Sequence, residues 1–300
     1  MRAVRIEETG DPEVVGIERV EDPAVGAGDV LIEVVAAGVN PIDVATRNGT
    51  VPTDLPAVLG WDVSGTVRDA GEDVTRFGVG DPVIAMSAQA ATGRGTHAEY
   101  VALPESLLAP APRELDQVEA AALPLAGLTA SQTVTELGSP SNGAEELLVV
   151  GAQGAVGSLV VQLARLNGWR ISTFVRPSDV TRKPPRGVLR QYSEEHPPPP
   201  AGFSAVVDTA GVPEHLRSVC DEGRYLTTTP FAQPEPSRGV RIVLIGVEQD
   251  GDELARLGTL VDEGSIEPGK PSAVVDFERA DWAHRTLENG GTRGKLILVP

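Results

Sequence analysis

Apolar residues through about residue 115 come in short runs, at 3–6, 14–20, 30–36, 58–67 and 83–85. Between them stand Thr9-Gly10-Asp11-Pro12, Gly26-Ala27-Gly28-Asp29, Asp69-Ala70-Gly71 and Val79-Gly80-Asp81-Pro82, where Gly and Pro supply turn geometry. Closely spaced strands without a long helix predict an antiparallel barrel or sandwich. Near residue 116 the texture changes. Asp116, with Glu119 three positions on, marks a helix start over 116–123. Residues 147–150 are an unbroken apolar run, as in a strand buried on both faces of a parallel sheet. Leu159, Val160, Leu163 and Leu166 then recur at helical spacing and Gly168 closes the helix. Residues 170–175 read as the next strand, and the runs 203–207 and 241–247 extend the same sheet. The proline-dense stretch 177–201 predicts an irregular surface excursion holding one short strand near 188–192. Beyond Gly251 the pattern predicts a helix over 252–263, a helix over 277–288 and a strand over 295–299.

Three hundred residues make two domains the starting expectation. Charge narrows the partners: 43 acidic residues against 25 basic give a net −18, which repels phosphate backbones and anionic lipid. Neither nucleic acid nor a membrane surface is expected as a partner. The single cysteine, Cys220, excludes a disulfide framework and any zinc site built from several thiolates. With no apolar run of about 18 residues and no basic-then-apolar start, the expectation is a soluble, cytoplasmic chain.

The sharpest local signal follows the 147–150 run: Gly151-Ala152-Gln153-Gly154-Ala155-Val156-Gly157. It is the dinucleotide-binding fingerprint with Ala152 in place of one glycine. Gly154 lets backbone approach a pyrophosphate, Gly157 lets the helix pack on the strand, and the helix N-terminus offers N–H groups and a positive dipole end. The bland alternative is a tight turn without a ligand; the strand before and amphipathic helix after argue for the ligand. At the second strand's end, Val175-Arg176-Pro177-Ser178 carries a base where an acid would hold a ribose 2′-hydroxyl. Arg176, with Arg182 or Lys183 in support, favours NADP(H); the competing reading takes Asp179 as the ribose ligand.

Several segments together point to a family. They are Ala37-Gly38-Val39-Asn40-Pro41-Ile42-Asp43, then Leu59-Gly60-Trp61-Asp62-Val63-Ser64-Gly65, then Arg76-Phe77-Gly78-Val79-Gly80-Asp81-Pro82-Val83. Ala120-Ala121-Ala122-Leu123-Pro124-Leu125-Ala126-Gly127-Leu128-Thr129, the glycine turn and the tail Arg293-Gly294-Lys295-Leu296 complete the set. Nearly end to end, the chain resembles the medium-chain dehydrogenase/reductase superfamily, and within it the zinc-free, zeta-crystallin-like quinone oxidoreductases.

The resemblance implies an α/β protein: a GroES-like β-barrel catalytic domain plus a Rossmann domain with a doubly wound parallel sheet. The expected boundaries are 1–119 for the barrel, 120–249 for the cofactor domain and 250–300 for a segment returning to the barrel, with NADPH in the cleft. Zinc-dependent relatives use a Cys in the first motif and Gly-His-Glu in the second. This chain has Asn40 and Asp43 in the first and Gly60-Trp61-Asp62 in the second, and no two of its four histidines stand at ligand spacing. No metal is expected, and His97 is read as structural.

Without a Lewis acid, the chemistry suits acceptors already activated by conjugation, namely quinones and α,β-unsaturated carbonyls. The resemblance places Asn40 and Thr129 beside the nicotinamide as catalytic candidates. It also assigns Tyr192 to the adenosine phosphate, Thr209, Gly211, Gly246 and Val247 to the nicotinamide ribose, and Lys295 to the cofactor phosphates. A turn-fixing Asn40, a Thr129 bonded back to its own helix and a surface Lys295 beside Glu or Asp are the structural alternatives. Two other functions remain: a polyketide-type enoyl-thioester reductase, or a non-catalytic NADPH-binding sensor or structural protein of the same fold. A homodimer through the edge strand 241–247 is expected from the relatives.

Overall fold

The computed structural model describes residues 1–141, 143, 145–290 and 292–300. Two compact units emerge, one of residues Met1–Leu128 with Glu248–Pro300, the other of Thr129–Val247.

The first unit is built around the long strand Asp29–Val39, which pairs with Asp62–Ala70, Tyr100–Pro104 and Leu296–Val299. The sheet runs Ala273–Asp276, Leu296–Val299, Asp29–Val39, Asp62–Ala70, Pro82–Met86, Leu108–Pro110, with only its first pair parallel. Register shifts at Leu31/Ile32 and Val34/Ala36 bend the long strand, so one element serves several neighbours. Val30, Ile32 and Val34 alternate into a core with Val63, Val67, Val83, Leu103 and Leu108. Gly16–Arg19, Arg2–Ile6 and Ala57–Val58 form a smaller antiparallel sheet. The run expected as one strand at 58–67 is therefore two. It breaks at Gly60, whose φ of +104° favours glycine and where a Cβ would strike the His97 ring.

After the long strand, Pro41–Arg47 forms a helix started by Pro41 and by Asp43, whose Oδ2 accepts the Asn40 N–H at 2.7 Å. The single helix expected over 116–123 is a short turn of helix, Gln117–Ala120, followed by Pro124–Leu137, because Pro124 can begin a helix but not continue one. Asp116 caps the first as expected, accepting from Glu119 N at 2.8 Å.

In the second unit six strands are all parallel, in the order Val188–Tyr192, Arg170–Phe174, Glu146–Val150, Phe203–Asp208, Val219–Thr227, Arg241–Leu244. Numbered along the chain this is 3-2-1-4-5-6, the Rossmann order. The helix Ala155–Leu166 buries Leu159, Val160 and Leu163. Two details differ from expectation. Val219–Thr227 is a fifth strand where none was read, and the last strand stops at Leu244 rather than 247. The 188–192 strand lies at the sheet edge, and prolines reduce the preceding connection to one 3-10 turn, Pro177–Asp179.

Candidate functional site

In the parallel sheet the order of strand addition reverses between Glu146–Val150 and Phe203–Asp208, so the connections leaving these two neighbours diverge. Such a switch point opens a crevice at the strands' carboxyl ends. Here the two turns are stitched together: Thr209 donates its backbone N–H and its hydroxyl to Val150 O, at 3.1 and 2.8 Å. Gly151 (φ +81°) begins the first turn, and a Cβ on Gly157 would run into the Gly151 carbonyl, so strand, turn and helix pack at backbone contact. Gly154 is the helix N-cap and has no side chain to occupy the first N–H groups. Gln153 places a buried amide nitrogen, without a partner among the described residues, in the same turn. These donors fit a dinucleotide pyrophosphate.

The second turn is held from below. Asp208 accepts Ala210 N, Gly211 N and Val212 N at 2.9, 2.9 and 2.7 Å, and the Tyr225 hydroxyl at 2.7 Å. Burial beside this carboxylate pushes the Tyr225 hydroxyl's pKa up, so it stays a donor. Gly211, at φ +72°, completes the bend.

In the first unit a different cluster forms. Lys295 is 5% exposed; its Nζ lies 2.8 Å from Asp62 Oδ2 and donates to Asn40 Oδ1. Asn40 donates to the same Asp62 oxygen at 2.9 Å and to Gly38 O at 3.3 Å. Asp62 Oδ1 accepts Leu125 N at 2.6 Å. Gly38 is required there, since a Cβ would collide with the Asp62 carboxylate and the Lys295 stem. Beside this network, burial pushes the Asp43 carboxyl up to about 7, with Asp62 adding to the rise and the Asn40 N–H and Lys295 opposing it. His97, bonded through Nε2 to Gly38 O at 3.1 Å, is driven down to about 4 by burial.

The placements are mixed. Gly151, Ala152, Gly154, Ala155, Val156 and Gly157 share the first turn with its helix start, beside Thr209 and Gly211 in the second. Gly246 and Val247 follow the last strand, and a Cβ on Gly246 would meet nothing within 4 Å. Asn40 is 1% exposed, and both amide hydrogens are committed to Asp62 and Gly38. Lys295, read either as a ligand of the cofactor phosphates or as a surface charge beside an acid, is buried and pairs with Asp62 and Asn40. Tyr192 sits on the edge strand with its ring edge-on to Phe203. Thr129 is a buried residue of Pro124–Leu137 whose carbonyl accepts the Thr133 hydroxyl at 2.7 Å. Arg176 pairs with Asp179 at 3.0 Å. Gln153 and Asp62 were missed; an orphan amide and a partner far along the chain leave no local pattern.

A zinc ion does not fit this donor set. Asp62 stands where zinc-dependent relatives have the acid of Gly-His-Glu, and its carboxylate is occupied by an ammonium, an amide and a backbone N–H. Among the described residues no group of three His, Cys, Asp or Glu could hold a metal ion.

Comparison with known proteins agrees with this architecture. Residues 26–113 match the alcohol dehydrogenase GroES-like domain and 190–298 match the zinc-binding dehydrogenase family. A 2-methylene-furan-3-one reductase of Solanum lycopersicum is 31% identical over 100% of this chain and 79% of its own. An NADPH-dependent alkenal/one oxidoreductase of Arabidopsis thaliana chloroplasts is 31% identical over 93% and 74%. Among solved structures, the quinone oxidoreductase of Coxiella burnetii superposes with a TM-score of 0.86 at 26% identity, covering 100% of this chain and 99% of that one. A mycobacterial protein complexed with NADPH gives 0.83 at 27%, covering 100% of both. The chain belongs to the medium-chain dehydrogenase/reductase superfamily, in its zeta-crystallin-like branch.

Proposed function

We propose that the protein uses NADPH to reduce quinones or α,β-unsaturated carbonyls, without a metal. The observation that carries this reading is the Lys295 ammonium, fixed by Asn40 and by Asp62 of the segment that reads Gly-Trp-Asp where zinc-dependent relatives have Gly-His-Glu. Relatives named as an alkenal/one oxidoreductase and a quinone oxidoreductase support the acceptor class, and the NADPH complex of a structural neighbour supports the cofactor.

Held at the Gly151–Gly157 turn, NADPH would supply a hydride for the electron-poor carbon of a conjugated acceptor, leaving the displaced electron pair on the carbonyl oxygen. The chain's own contribution is position and charge. The Gly151–Gly157 turn presents N–H groups to the pyrophosphate, and Thr209 and Gly211 shape the neighbouring turn. Lys295 engages Asp62 and Asn40 and has a third N–H to offer a developing oxyanion, already oriented before reaction. A solvent proton completes the product.

Replacing Lys295 with Met, together with Asp62→Asn so that no lone buried charge remains, tests the assignment. Turnover of an enone is expected to fall about a hundredfold while the NADPH KM holds within about twofold. Unchanged turnover in the folded variant would remove Lys295 from the reaction. The same reading takes the protein as cytoplasmic and homodimeric. The edge strand Arg241–Leu244, with Leu244 exposed, is the pairing surface, and light scattering at twice the 31.4 kDa chain mass is the expected result.

A further inference from the structure

Asp179 is the fully buried acid in a turn otherwise rich in exposed bases. Its side chain is 2% exposed, while Arg176 and Arg182, three residues to either side, are 50% and 42% exposed. Arg176 Nε donates to Asp179 Oδ2 at 3.0 Å, and Arg182 Nη1 lies 4.0 Å from Oδ1. The backbone repeats this symmetry: Asp179 N donates to Arg176 O at 2.9 Å and Arg182 N to Asp179 O at 3.0 Å. Gln191 of the edge strand donates to Val180 O at 2.9 Å, and Val175 N to Tyr192 O at 3.0 Å, so the turn is anchored to the sheet on both sides.

A carboxylate that reads a ribose must present an open oxygen to the ligand. Asp179 presents none, since its carboxylate is buried: one oxygen accepts from Arg176, and the other lies out of solvent, 4.0 Å from Arg182. The arrangement is suited to the opposite task. Two guanidiniums, each about half in solvent, gather about a shared buried anion, Arg176 hydrogen-bonded to it and Arg182 drawn to it at ion-pair distance, which keeps both near one point with their outer N–H groups facing solvent for bidentate contacts. Local charge points the same way. From 176 to 190 the chain carries Arg176, Arg182, Lys183, Arg186 and Arg190 against Asp179 alone, a basic island in a protein of net charge −18.

We propose that Asp179 is a positioning residue for cofactor choice: it orders Arg176 and Arg182 into a paired clamp for the 2′-phosphate of NADP(H). This rests on the NADPH reading above and specifies how this chain selects it. Arg182 becomes a direct ligand equal to Arg176, and the buried acid excludes itself from the ribose by serving the arginines.

Calorimetric titration with adenosine 2′,5′-bisphosphate and with adenosine 5′-monophosphate isolates the 2′-phosphate from catalysis. Wild type is expected to bind the bisphosphate more tightly. Asp179→Asn and Arg182→Gln should each weaken the bisphosphate about tenfold and leave the monophosphate within about twofold. Adding Asp179→Asn to the Arg176→Ala, Arg182→Gln double variant should change little further, because the acid acts through the two arginines. Wild type that binds both probes equally contradicts the NADPH reading, and the clamp with it. Wild type that prefers the bisphosphate, with a preference unchanged in Asp179→Asn, overturns the clamp alone. Should Asp179→Asn fail to fold, the exposed Arg182→Gln decides, and an unchanged preference there is equally fatal.

Discussion

Buried titratable side chains in the first unit set the response to acid. His97 and His284 are both fully buried, their rings edge-to-face at 6.5 Å. Burial takes His97 down to about 4; burial, then His97 and Arg47, take His284 down to about 3. Both are neutral in the folded protein at a pH where the unfolded chain protonates them, so each makes stability rise with pH from its folded value to about 6.5. Asp43 acts with the opposite sign. Its folded value of about 7 exceeds the ordinary 3.8, so the folded state binds the extra proton and stability falls as pH rises between those limits. Two rising contributions against one falling leave a net gain in stability from about pH 4 to 6.5. Urea midpoints across that range should increase, and more steeply in Asp43→Asn, which removes the opposing group. A flat or falling profile in wild type would contradict the burial of these imidazoles.

At the level of elements, the glycine turn is the part whose geometry is least negotiable. A Cβ at 157 would meet the Gly151 carbonyl and the Thr209 hydroxyl, whereas one at 246 would meet nothing within 4 Å. Gly157→Ala should therefore cost about 1–3 kcal/mol in thermal unfolding and abolish tight NADPH binding, while Gly246→Ala stays close to wild type in stability. Comparable melting temperatures for the two variants would refute the close packing. This turn was legible because strand run, glycines and helical stripe are all local signals. The same holds for the strand at 188–192 among the prolines. Val219–Thr227 was not legible: Asp221, Glu222 and Gly223 interrupt it near its start, and its apolar end, Tyr225 to Thr227, is too short to stand out. Nor was the partner of Lys295. A lysine in a tail motif reads as a phosphate ligand, and only folding brings Leu296–Val299 against Asp29–Val39, which seats the lysine on Asp62. Asn40 was singled out as a polar group facing the nicotinamide; its engagement of both amide hydrogens, with Asp62 and Gly38, is not visible in sequence.

For the molecule as a whole, the excess of acid is the dominant long-range term. A net charge of −18 on 300 residues repels itself in the folded state, and the basic stretch at 176–190 is a local exception. Raising KCl from about 0.01 M to about 1 M shortens the screening length from about 30 to 3 Å and should raise the melting temperature. The same salt should weaken adenosine 2′,5′-bisphosphate binding at the arginines, and a melting temperature that falls instead would show that local ion pairs outweigh the net field. No helix among the described residues is long and apolar enough to cross a membrane. The most direct test of metal-free reduction is the NADPH oxidation rate with an enone and with a quinone, before and after exhaustive dialysis against a strong chelator. The rate with at least one acceptor should be substantial and identical in both samples. A rate that collapses on chelation and returns with zinc, or no oxidation with either acceptor, would contradict the account.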